Sequence, residues 1–113
     1  MAYNLITTDE MNDLLDNCVD YLIHTLMNNE AAAHLLDSLA IIYQHLEDNP
    51  HIYQESQDPF MKTYHYHEVK IPKMDYIIVY KIEEKNVYIL GIYHSLEDYC
   101  NKIKILWRTG FED

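Results

Sequence analysis

Glycine is almost missing from this sequence: Gly91 and Gly110 are the two in 113 residues. A glycine-rich phosphate-cradling loop cannot be built from them. The three serines, Ser38, Ser56 and Ser95, stand in no GxSxG elbow. Cys18 and Cys100 have no CxxC spacing, so neither a disulfide framework nor a thiolate ligand set is expected, and a reduced, cytoplasmic protein is the simplest reading. Three prolines leave little linker and no low-complexity segment. The longest apolar run, Val87 to Tyr93, falls far short of the ~20 residues that span a bilayer. The amino-terminal stretch carries Asp9, Glu10, Asp13 and Asp16 and no basic residue, so no secretory signal is expected.

Positive charge is also scarce. The net charge is −11, from 19 acidic and 8 basic side chains. Residues 1–61 hold 11 carboxylates and no Lys or Arg, while residues 62–113 hold all 8 basic residues and 8 acidic ones. A field of this sign repels phosphate backbones and anionic membranes, which disfavours general DNA binding and membrane association. What is abundant is apolar surface, at 49% of residues, and tyrosine, at 11. That balance suits one globular domain over 1–113.

The hydrophobic period changes once, near residue 60. Tyr3 to Ile6 reads as a first strand. Thr7 with Glu10 reads as a capping box, with Thr8 the competing cap. Met11, Leu14, Leu15, Cys18, Leu22 and Leu26 recur at helical spacing, and Asn28-Asn29 breaks that helix. A second helix starts at Glu30 or Ala31, with Ala32, Leu35, Leu36, Leu39, Ile42, Tyr43 and Leu46 as its stripe. Asp48-Asn49-Pro50 ends it. The short break implies an antiparallel helical hairpin. Residues 50–62 read as a loop. Tyr64 to Ile71, Tyr76 to Ile82 and Val87 to Tyr93 read as strands, with turns at Pro72–Asp75 and Glu83–Asn86. Val87 to Tyr93 is apolar on both faces, hence central in the sheet. Ser95 caps a last helix that buries Tyr99, Ile103 and Leu106. The class is α+β: a strand, a helical hairpin, a three-stranded antiparallel meander and a C-terminal helix, with the helices on one sheet face.

Site chemistry is sparse. His65 and His67 stand two apart and would share a strand face, so they are the candidate metal ligands, with Glu68 nearby. No second ligand pair accompanies them, and no metal or cofactor is expected. His24, His34 and His45 read as boundary or surface residues on the helices rather than ligands. The strand tyrosines Tyr76, Tyr80, Tyr88 and Tyr93 suit packing. A base-stacking platform would draw its charge from Lys70, Lys73 and Lys81.

Read as one piece, the second half is more specific. A strand bearing Lys70 leads to Tyr76-Ile-Ile-Val-Tyr80, a hairpin, the apolar strand ending in His94, and the pair Asp98-Tyr99. Preceded by a helical hairpin ending in Leu46-Glu-Asp-Asn-Pro50, this order resembles the RelE/ParE toxin superfamily of type II toxin–antitoxin systems over roughly residues 3–103. The resemblance implies a cognate antitoxin as partner. It also implies either a protein target of the gyrase type or the ribosome with its mRNA. Nuclease members use strand cations to hold the scissile phosphate and a basic or tyrosyl group to move protons. Carried onto this chain, the catalytic candidates are Lys70, His94 and Tyr99. Other positions depart from that pattern: Glu68, Ile77 and Ser95-Leu96-Glu97 stand where cations are usual. Inhibition of a protein target fits these losses better than RNA cleavage. A degenerate, non-catalytic binding module is the third reading. The apolar residues Leu106, Trp107 and Phe111 are the expected partner contacts.

Overall fold

The structure, a computed structural model, describes residues 3–95. The expected C-terminal helix, with Tyr99, Ile103 and Leu106, and the apolar stretch with Trp107 and Phe111 lie outside the described residues.

Strand β1 spans Asn4–Thr7 and helix α1 spans Asp9–Asp20. Thr8, not Thr7, is the cap: its hydroxyl oxygen accepts from the Met11 amide at 3.1 Å, and its hydroxyl donates to the Ile89 carbonyl at 3.0 Å. One side chain thus starts the helix and ties it to the sheet. The end of the first helix winds wider, as a π-helical turn over Tyr21–Thr25. Helix α2 spans Asn29–Asp48, capped by the Asn28 side chain on the Ala31 amide at 3.0 Å. Its buried residues Ala32, Leu35, Leu39, Ile42 and Leu46 follow the predicted stripe, whereas Leu36 is exposed.

The predicted 50–62 loop is partly helical. Pro50–Ile52 form one 3₁₀ turn, and Pro59–Thr63 form helix α3. Asp58 caps α3 through the Phe60 and Met61 amides, and Pro59 occupies the first turn, where its missing N–H costs nothing. Strand β2 is His67–Lys70, shorter than expected, because His65 takes a positive φ of 62° that breaks the extended run. Strands β3, Tyr76–Glu83, and β4, Asn86–His94, form the predicted hairpin.

The sheet order is β1-β4-β3-β2, antiparallel except for β1, which runs parallel to β4. β4 is therefore central, as its apolar composition requires. Helices α1 and α2 cover one face, where Met11, Leu35, Leu39 and Leu46 pack on Val69, Ile78, Tyr80, Val87, Ile89 and Ile92. The other face is not left open. Met61 and Phe60 of α3 pack there with Tyr66, Val79, Leu90 and Tyr93. The two helices of the hairpin share one face, as expected, and Asp58-Pro59 starts a further helix on the other face that the sequence reading gave as loop.

A β-bulge sits in β4. Val79 pairs with Gly91 and Tyr80 with Ile89, so Leu90 is the extra residue. It shifts the alternation of everything after it. Val87 and Ile89 face the helices, and so does Ile92, while Leu90 and Tyr93 face α3.

Candidate functional site

The sheet face toward α3 is where the strand lysines project. By pairing and alternation it carries Glu68 and Lys70 from β2, Ile77, Val79 and Lys81 from β3, and Tyr88, Leu90 and Tyr93 from β4. Its middle is apolar: Val79 and Leu90 are buried, and Tyr66 and Tyr93 nearly so. Tyr66 stacks on Tyr64 with ring centroids 5.8 Å apart, and Phe60 lies 5.0 Å from Tyr64. Lys81 Nζ sits 5.6 Å above the Tyr66 ring and 2.9 Å from Glu83 Oε2. That ammonium is already matched by a carboxylate. Glu68 accepts from the Ser56 hydroxyl at 2.6 Å, and Ser56 is buried.

Lys70 is exposed at the end of β2, opposite Ile77. His94 ends β4 opposite Tyr76, its ring edge-on to that tyrosine at 5.6 Å. Tyr76 packs against the helix-side core, and Ile77 against the α3-side core. Lys70 and His94 therefore project from opposite faces of the sheet, and the structure does not bring them together. Tyr99 lies outside the described residues.

His65 and His67 do not share a strand face. His65 precedes β2, is exposed, and donates from Nδ1 to Glu55 Oε2 at 2.9 Å. That hydrogen bond holds the Glu55 carboxyl below its ordinary value. His67 is buried, stacks on Tyr80 at 4.9 Å, and donates from Nδ1 to the Tyr53 carbonyl at 3.0 Å. The Tyr80 hydroxyl donates to the Pro50 carbonyl, and His45 Nδ1 shares a 2.9 Å hydrogen bond with the Tyr53 hydroxyl. These contacts strap residues 50–55 along the β2 edge, where Glu55 also bridges His67. Burial pushes the Tyr80 and Tyr53 phenols up. Among the described residues no group of three or more His, Cys, Asp or Glu could hold a metal. No described helix is long and apolar enough to cross a membrane.

The reading by periodicity passed over Phe60, Met61 and Tyr66, which fill the sheet face. The Asp58-Pro59 pair, a cap followed by a first-turn proline, is the signal that reveals α3 and with it Phe60 and Met61.

Over residues 5–99 the sequence matches the family described as ParE toxin of type II toxin-antitoxin system, parDE. This is most of the chain, which belongs to the ParE toxin family and is a toxin of the type II toxin–antitoxin class. The fold is similar to that of a solved chromosomal ParDE TA system from P. aeruginosa, with a TM-score of 0.65. The two are 16% identical, and the match covers 82% of this chain and 96% of that one. At that identity the likeness speaks for the fold alone. No curated protein matches the sequence.

Proposed function

We propose that this toxin arrests growth by binding a protein target of the gyrase type, and that a cognate antitoxin neutralises it. The observation that carries this reading is the state of the sheet face. Cutting RNA requires cations around a pentacoordinate phosphorane and a proton-transfer group beside them. Here the face is packed with Tyr66, Val79, Leu90 and Tyr93, and Lys81 is spent on Glu83. His94 projects from the other side, among residues that face the helices. Loss of one phosphate-stabilising group commonly costs ~10²–10³ in rate. Lys70 alone is a poor phosphate site. The family match supports the antitoxin, for which Leu106, Trp107 and Phe111 are the proposed contacts. Action on such a target places the toxin in the cytoplasm.

Induced expression in a bacterium tests the reading. Growth should stop with DNA-damage signs and intact bulk translation, and Lys70→Ala should stop it equally well. Cleavage of mRNA in translating ribosomes, abolished by His94→Ala or Tyr99→Phe, would replace this reading with the nuclease one. No arrest at all would leave a binding module. Deleting residues 105–113 without change in antitoxin affinity would remove the proposed contacts.

A further inference from the structure

The tip of the helical hairpin breaks two local rules at once. Leu26 and Met27, in the connection between the helices where polar residues are the norm, are 51% and 81% exposed, and Tyr21 on the π-helical turn before them is 49% exposed. The Leu26 amide donates to the Tyr21 carbonyl at 3.0 Å and the Asn28 amide to the Leu22 carbonyl at 2.8 Å, which closes the helix end around Met27. Met27 takes a φ of 53°, the left-handed conformation that helix ends usually give to glycine or asparagine. A strained backbone therefore holds a flexible thioether side chain out in water. Local rules broken without a folding benefit mark functional surface, and methionine suits an adaptable contact.

The surroundings fix the chemistry of what it meets. Asp20 and Glu30 are exposed on the two helices that lead to and from the tip, and residues 1–61 contain no Lys or Arg. His24 lies 3.8 Å from Asp20. His34 Nε2 of α2 donates to the Pro72 carbonyl next to Lys73. A second copy of the chain would bring the same acidic rim against this one. The carboxy-terminal apolar stretch is the proposed antitoxin contact. We propose that Tyr21, Leu26 and Met27 are the surface that engages the toxin's protein target, and that the target offers there an apolar pocket edged by Lys and Arg. Proteins that work on nucleic acid carry such basic surfaces. The proposal rests on the protein-target reading.

The test uses the full chain expressed from a titratable promoter, with antitoxin binding measured against the product of the adjacent reading frame. Met27→Gly removes the side chain while easing the backbone, so the fold survives. Met27→Gly and Leu26→Ser/Met27→Gly should raise the toxin level needed for arrest about tenfold or more. Melting temperature and antitoxin affinity should not fall. Leu36→Ser, which removes an exposed apolar residue of α2 away from the tip, should change neither. Unchanged arrest in the tip variants overturns the proposal, as does loss of antitoxin affinity in them. Ribosomal mRNA cleavage by the wild-type chain would instead sink the protein-target reading itself.

Discussion

The Tyr80 hydroxyl donates to the Pro50 carbonyl at 2.6 Å, across 30 residues of sequence, from a side chain with no exposed surface. Pro50 is also buried, so that carbonyl has lost its access to bulk water. Tyr80→Phe keeps the ring under His67 and removes the donor. It should cost about 1–3 kcal/mol, the usual result of stranding a buried acceptor. Urea unfolding measures this, and an unchanged midpoint would show that the hydroxyl does not hold the strap.

Alkaline pH should unfold the protein through its buried phenols. Burial pushes the Tyr43 phenol from 10.0 up to about 12, and Tyr80 is raised for the same reason. Below pH 10 these phenols are neutral in both states, and stability should not respond to them. From 10 to about 12 the unfolded chain releases the Tyr43 proton and the folded chain retains it. Stability therefore falls with rising pH across that window. Tyr43→Phe should flatten the fall, as read from melting temperatures at pH 9 to 12 and phenolate absorbance.

Gly91 leaves room for a ring. A Cβ built there would lie 2.5 Å from the Tyr93 hydroxyl oxygen and 2.6 Å from its ring. Tyr93 is nearly buried and has little space to swing away. Gly91→Ala should destabilise by about 1–3 kcal/mol. In a Tyr93→Leu background the same change should cost much less. Equal costs in both backgrounds would mean that the glycine serves the bulge itself.

Two exposed positions should accept glycine with a gain. Glu84 opens the two-residue turn between Glu83 and Asn86 at a φ of 57°, and Met27 closes the helix end at 53°. Glu84→Gly and Met27→Gly should each stabilise by up to about 1 kcal/mol, because a Cβ is strained in that conformation. Denaturation midpoints that fall would contradict the backbone assignment at either site.

Much of the fold could be read from spacing alone. The stripe from Ala32 to Leu46, the break at Asn28-Asn29 and the turn at 83–86 appear where periodicity puts them. Periodicity failed where one residue outweighed the pattern. His65 cut β2 short through its positive φ, and Asp58-Pro59 started α3 inside an apparent loop. The candidate site suffered most. Strict alternation from Val87 places His94 on the face that Lys70 shares. The extra residue Leu90 puts His94 on the opposite one. A bulge depends on how two strands meet, so neither strand's sequence shows it alone.

The parallel pairing of β1 with β4 has a consequence in time. Thr8 reaches its Ile89 partner across 81 residues, and the strand before it has no place in a sheet until β4 exists. Closing a loop that long is slow, and on a ribosome it must wait until β4 has been made. A nascent copy without β4 therefore has no finished sheet. The sheet face that Lys70 and Lys81 share is thus completed only after β1 and both helices of the hairpin have been made.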